Sequence, residues 1–323
     1  MSKWPIVSII CTAYNQEAFI EDALKGFVMQ KTTFPFEIIV HDDASTDRTV
    51  EIIKSYEMKY PELFCNIYQE TNQYSKRNGE VGKIVYAAAK GKYIALCEGD
   101  DYWIDPLKLQ KQVDFLEENP EFGMVHSAYL LKDEYEQTFK KIQIDIDHND
   151  ENIIWKIIGQ ELFICTSSIL SRAELHKNII IDFANDFSIV PIGDTQTWFH
   201  LARLSRIGYI NESLSVYRKS TFGVTGSGNI KKRIYFLENA LKLDLYLANT
   251  YKAPDKWKEK IKYEFSRSLL IIALLDKDSF RIKKYSEEIF KEKNWQLSLL
   301  KMFSYLPFFK QQFIYKLLGL FKK

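Results

Sequence analysis

Four short apolar runs, set apart by stretches of helical spacing, leave this chain few folds to choose from. Residues 6–11 (IVSIIC) are apolar and β-branched with one serine, as a strand buried on both faces requires. Residues 17–30 follow, with apolar side chains at Phe19, Ile20, Ala23, Leu24, Phe27 and Val28, which is helical spacing. A second strand is expected at 37–40 (EIIV). The helix after it carries Val50, Ile53 and Tyr56, with Ser45 or Thr46 placed to cap it. A short third strand is expected at 66–69, a helix at 82–90 and a fourth strand at 93–97 (YIALC). Pro106 suits the first turn of a helix bearing Leu109, Val113 and Leu116, and a further strand is expected at 124–130. Strand and helix alternate, so the fold class is α/β: a mostly parallel sheet flanked by helices.

Composition narrows the function classes. Hydrophobic residues make up 46% and charged residues 27%, an ordinary folded composition that argues against disorder. A net charge of +1 gives no field that would draw nucleic acid. Cys11, Cys65, Cys97 and Cys165 show no metal-ligand spacing, so they read as reduced core residues in a reducing compartment. The first residues run directly into a strand, so no cleaved leader is expected, and the setting expected is cytoplasmic. The longest clean apolar run, 269–275, is too short to span a bilayer.

In open α/β sheets ligands bind beyond the carboxyl ends of the strands. The residues there are Thr12-Ala13-Tyr14-Asn15, then His41-Asp42-Asp43, then Glu98-Gly99-Asp100-Asp101. Clustered carboxylates need a compensating cation or donor. Mg²⁺ and Mn²⁺ favour carboxylate oxygens and are often held by one or two of them plus substrate phosphates. Asp100 reads as such a ligand. Asp101 reads either as a second ligand or as a cap for the next helix. Gly99 would let a ligand approach the backbone closely. Asp42 and Asp43 read either as an Asx turn or as acceptors for a base N–H such as uracil offers, with Tyr14 stacked on the base. His41 reads as a packing residue.

These segments, PIVSIICTAYN, HDDASTD and AKGKYIALCEGDDYWIDPLKLQKQ, resemble glycosyltransferase family 2, closely over about residues 4–130 and more loosely to about 225. The resemblance implies a GT-A fold and an inverting transfer from a nucleotide-sugar, a UDP-sugar by preference, to a glycan or lipid-linked acceptor. It implies that Thr12, Tyr14 and Asp43, with Asp42 beside it, line the base, and that Asp100 binds the divalent cation. Glu98 stands where the family usually has Asp. Residues 193–198 (GDTQTW) are similar to the later motif that holds the catalytic base, which makes Asp194 that base. Taken alone, Asp194 reads as a helix N-cap, where the helix dipole would depress its pKa. Tyr217-Arg218 resembles a Tyr-Arg motif and sets Arg218 at the diphosphate; Ser220 stands where a His often follows.

The domains expected are a catalytic domain over 1–229 (nucleotide-sugar half 1–105, acceptor half 106–229) and a helical region over 230–323. Residues 219–229 (KSTFGVTGSGN) read as a mobile loop. Residues 293–323 carry six lysines and no acidic residue, interleaved with aromatics. That pattern fits an interfacial helix on an anionic membrane, with peripheral contact through 295–323. It fits equally a helix packed on this chain or on a second copy. A sugar nucleotidyltransferase is the rival enzyme, but it usually carries a glycine-rich phosphate loop after the first strand, and Thr12–Gln16 has no glycine. A non-catalytic glycan-binding protein on the same fold is the other rival.

Overall fold

In the computed structural model, residues 5–76, 79–144, 147, 150–176, 193–219 and 230–290 are described. β1 (Val7–Ala13) lies between β2 (Phe36–Asp42) and β4 (Tyr93–Glu98), parallel to both. β3 (Ile67–Tyr68) extends the sheet past β2, again in parallel. Helices α1 (Ile20–Val28), α2 (Thr49–Lys59), α3 (Glu80–Ala88) and α4 (Lys108–Glu118) fill the crossovers. The expected alternation is therefore present, with ends shifted by a few residues.

The second half of the sheet is mixed. β6 (Phe122–Asp133) is parallel to β9 (Arg206–Lys219) and antiparallel to β7 (Thr138–Ile142) and β8 (Leu170–Arg172). β8 is antiparallel to β4, and β5 (Tyr102–Trp103) to β9. The strand order is β3-β2-β1-β4-β8-β6-β9-β5, with β7 on β6. Two further helices, α5 (Ile153–Ile158) and α6 (Asp194–Leu204), complete the described part of this unit.

The core forms where the apolar runs cross. Val7, Ile9 and Cys11 of β1 meet Ile20, Leu24 and Phe27 of α1, Ile38 and Val40 of β2, and Ala95 and Cys97 of β4, all at 3% exposure or less. At about 25 cal/mol per Å² of apolar area buried, each such side chain contributes about 1.5–3 kcal/mol. Gly91 is required by close approach: a Cβ there would sit 2.5 Å from the Ser8 nitrogen. Cys11, Cys97 and Cys165 are buried free thiols as expected, but Cys65, also expected in the core, is exposed, because it lies in the loop before β3 rather than in a strand.

One local expectation fails. Neither Ser45 nor Thr46 caps α2, which starts at Thr49 without a side-chain cap on its N-cap residue Arg48. Ser45 Oγ instead accepts the Asn15 amide at 2.9 Å, tying the end of β1 to the loop after β2.

The chain divides into two compact units, Met1–Gly223 and Val224–Lys323. In the second, α7 (Ile230–Thr250), α8 (Asp255–Asp276) and α9 (Ser279–Phe290) gather around Ile234, Leu269, Leu270, Tyr285 and Ile289. Among the described residues no helix is long and apolar enough to cross a membrane. Ser220, most of the 219–229 loop and the basic aromatic tail at 293–323 lie outside the described residues.

Candidate active site

Strand register brings the polar ends together. Thr12 pairs with His41 on one side and Glu98 on the other, and Ala13 pairs with Asp42. Beyond these pairs the loops are bonded across: the Asp43 amide donates to the Ala13 carbonyl at 2.9 Å and the Gly99 amide to the Thr12 carbonyl at 3.0 Å. Tyr14 stands out from this edge, 48% exposed, as a base-stacking residue would. Asn15 adopts a left-handed φ of 50°, and its Oδ1 accepts the Thr46 amide at 2.8 Å.

Asp42 and Asp43 are both buried and both hold loops. Asp43 takes the Gln73 amide on Oδ1 (2.7 Å) and the Tyr74 amide on Oδ2 (3.0 Å). Asp42 takes the Ser45 amide on Oδ2 at 3.0 Å, while its buried Oδ1 has no partner among the described residues. The Asp42 contact is local, within the loop after β2, whereas Asp43 ties that loop to residues 73 and 74. His41 is fully buried, as expected of a packing residue.

A Cβ at Gly99 would come 2.3 Å from Gln16 Oε1 and 2.9 Å from Ile20 Cδ1, so the close approach is made by α1 and the turn before it. Glycine here lets the acidic loop lie against that turn.

Glu98, Asp100, Asp101 and Asp194 form one electrostatic group. The Glu98 pKa is raised well above the carboxylate range, first by withdrawal from bulk water and then by the charges of Asp194, Asp100 and Asp101. Glu98 and Asp194 are both solvent-exposed residues, with protein packed around their carboxyl groups. Burial also raises Asp100, against the pull of its own backbone amide and of Arg218. Asp101 is only 1% exposed and is pushed up to about 8 by burial and by Asp100. Its Oδ1 accepts the Arg218 amide at 2.9 Å, which ties its loop to β9.

Asp194 is the first residue of α6, with Gly193 as N-cap. The Gln196 side chain accepts the Gly193 amide at 2.9 Å. Asp194 is therefore not the cap, and its carboxylate turns to the Thr166 hydroxyl, which donates to Oδ2. Its pKa is raised by burial, with Thr166 pulling the other way. The helix N-terminus acts in the opposite direction, toward a lower value. A raised value suits a base that works near neutral pH.

Arg218 is held by protein partners that the sequence does not announce. Its side chain is 3% exposed. Nε donates to Glu134 at 2.8 Å, one terminal nitrogen to the Asp100 carbonyl at 3.0 Å and the other to Asp22. The guanidinium lies over Tyr102 at 4.4 Å and Phe19 at 5.2 Å. It braces the acidic loop from behind. Thr166 and the buried clamp around it were missed from sequence, because nothing local marks the run CTSS.

Among the described residues no three His, Cys, Asp or Glu side chains converge closely enough to hold an ion by themselves. The donor set nevertheless fits a hard divalent cation completed by substrate phosphates: oxygen ligands, raised pKa values and too little local positive charge.

The fold, a mixed α/β sheet flanked by helices, is of the GT-A type. The sequence profile "Glycosyl transferase family 2" matches residues 8–179, and the chain belongs to that family. It is 36% identical over 234 residues to the uncharacterized protein Rv1520 of Mycobacterium tuberculosis, covering 71% of this chain and 63% of that one. The chain thus spans less than two thirds of that relative's length. It is 34% identical over 128 residues to WfaP of Escherichia coli, a UDP-Glc:alpha-D-GlcNAc-diphosphoundecaprenol beta-1,3-glucosyltransferase, covering 40% of this chain and 48% of WfaP. Among solved structures, S. aureus TarS 1-349 in complex with UDP-GlcNAc superposes with a TM-score of 0.54 at 19% identity, covering 82% of this chain and 72% of that one. The mannosyltransferase PcManGT of Pyrobaculum calidifontis, in complex with GDP-Man and Mn²⁺, gives 0.55 at 16% identity over 97% and 84%.

Proposed function

We propose that the protein is an inverting glycosyltransferase that moves a sugar from a nucleotide-sugar, a UDP-sugar by preference, to a hydroxyl of a glycan or lipid-linked acceptor in surface polysaccharide synthesis. The observation that carries this reading is the placement of Asp194, with its raised pKa, in one electrostatic group with Glu98 and the Asp100 loop. A base and an acidic donor edge in one cleft are what transfer to a hydroxyl needs.

Thr12 and Tyr14 line the base, on a loop shaped by Asp42 and Asp43. Asp100 would hold Mn²⁺ or Mg²⁺, and Asp101 and Arg218 hold the Asp100 loop in place. When bound, such an ion offsets negative charge on the leaving diphosphate. Asp194 takes the proton of the acceptor hydroxyl as that oxygen attacks from the face opposite the nucleotide. TarS and PcManGT support the donor class by what they bind, and WfaP supports a lipid-linked acceptor. The domain split at about residue 229, and peripheral attachment through 295–323 at the inner membrane face, complete the proposal.

Nucleotide release from a panel of UDP-, GDP- and dTDP-sugars tests it. The expected result is release from a UDP-sugar with Mn²⁺, suppressed by EDTA and by Asp100→Ala. Equal release in EDTA, or release from no donor, would overturn it.

A further inference from the structure

Thr166 begins a single 3-10 turn, Thr166–Ser168, that leads into β8. Three buried side chains grip this turn and the residue after it by their carbonyls. Trp103 Nε1 donates to the Ser167 carbonyl at 2.9 Å, Gln112 Nε2 to the Ser168 carbonyl at 2.8 Å and Lys108 Nζ to the Ile169 carbonyl at 3.4 Å. The grips are themselves linked. Lys108 Nζ donates to Gln112 Oε1 at 2.7 Å and lies 4.1 Å from the Trp103 ring centre. Within the turn, the Ser168 hydroxyl donates to the Cys165 carbonyl at 2.7 Å.

A fully buried lysine and glutamine are costly unless hydrogen-bonded. Hydrophobic residues of the same volume would fill that space more simply. The polar network instead fixes carbonyl directions, and so fixes the turn. Trp103 stands two residues after Asp101, on β5, so the same clamp that holds the turn starts from the acidic loop.

What the clamp presents to the cleft is the Thr166 hydroxyl. It donates to Asp194 Oδ2. Among the described residues no side chain or amide donates to Oδ1. A hydrogen bond to one carboxylate oxygen fixes the side chain's rotation and leaves the other oxygen to accept a proton.

We propose that Thr166 is a positioning residue for the base: mounted on the Trp103–Lys108–Gln112 clamp, it orients the Asp194 carboxylate toward the acceptor hydroxyl at a spacing fixed relative to the Asp100 loop. This rests on the reading of Asp194 as the base. The carboxylate sits on α6 and the acidic loop follows β4, elements far apart in sequence. The clamp is the described route by which one fixes the other. The hydroxyl is what matters, so serine serves and valine, of the same shape, does not.

The test measures nucleotide release from UDP-glucose, UDP-GlcNAc and GDP-mannose with Mn²⁺ for the wild-type chain, Thr166→Val, Thr166→Ser and Asp194→Asn. Thr166→Val is expected to lower kcat about tenfold with the donor KM unchanged, because misorientation acts on the chemical step. Thr166→Ser is expected within about twofold of wild type. Thr166→Val at the wild-type kcat beside an inactive Asp194→Asn would overturn the role of Thr166 and leave the base standing. Thr166→Ser as slow as Thr166→Val would overturn the role of the hydroxyl. An active Asp194→Asn, or a wild-type chain that releases nucleotide from none of the three donors, would overturn the functional reading and this inference with it.

Discussion

Asp194→Asn is expected to lower kcat by about a hundred- to ten-thousand-fold, the range for removing a general base, while the donor KM stays near wild type. The amide keeps the shape and can still accept from Thr166, but it cannot take a proton. The pH profile supplies a second readout. The base works only when ionised, and its pKa is raised above the ordinary aspartate value of 3.8 by desolvation of the carboxyl group. Activity is therefore present above the raised value and lost as pH falls through it. The acid limb of kcat/KM in the free enzyme should lie above the ordinary aspartate range. A limb at or below 3.8, or an asparagine variant with full kcat, would remove Asp194 from the chemistry.

Arg218→Met is expected to destabilise the fold by about 3 kcal/mol, the low end for removing one partner of a buried ion pair. Arg218 is 3% exposed, yet its partner Asp22 is 45% exposed, and that solvent access tempers the loss. Glu134 loses its Nε donor, the Asp100 carbonyl loses its terminal N–H, and the guanidinium contact with Tyr102 disappears. The bond from the Arg218 amide to Asp101 survives, because it is made by the backbone. Urea unfolding measures the stability, and steady-state kinetics separates the two roles for this residue. A residue that binds the diphosphate directly would raise the donor KM and leave the fold intact. A residue that braces the acidic loop lowers stability and weakens kcat in the folded fraction. The contacts of this side chain favour the second outcome.

Much of the nucleotide half could be read from the sequence, and the reason is local. A strand buried on both faces needs an unbroken apolar run, as at Val7–Ala13, and the sheet's register then carries its polar end to the ligand edge. Thr12, Glu98 and Asp100 reach that edge by continuity of the chain. The mixed half of the sheet was less legible. β8 has three residues and β5 two, so their partners are chosen by tertiary packing and leave little periodicity. Site roles followed the same division. Arg218 sits beside the acidic loop, as the Tyr-Arg motif implied, but Glu134 and Asp22, 84 and 196 residues away, occupy its guanidinium. The Gln73 and Tyr74 amides do the same to Asp43, and the Gln16 side chain fills the space that Gly99 leaves. In each case a distant part of the chain supplies the contact, which no local pattern announces. The pKa of Asp194 is a further case. The helix N-terminus is visible in sequence, but the packing that desolvates the carboxylate is not.

The central claim is a direct displacement at the anomeric carbon, with Asp194 activating the acceptor. The anomeric configuration of the product tests it most directly. Once a turned-over donor is found, the product is made from its α-linked nucleotide-sugar and read by proton NMR at early time, before mutarotation or further reaction. A β-linked product is the predicted result. An α-linked product would mean that configuration is retained, and it would contradict a mechanism in which the acceptor hydroxyl attacks once from the face opposite the nucleotide.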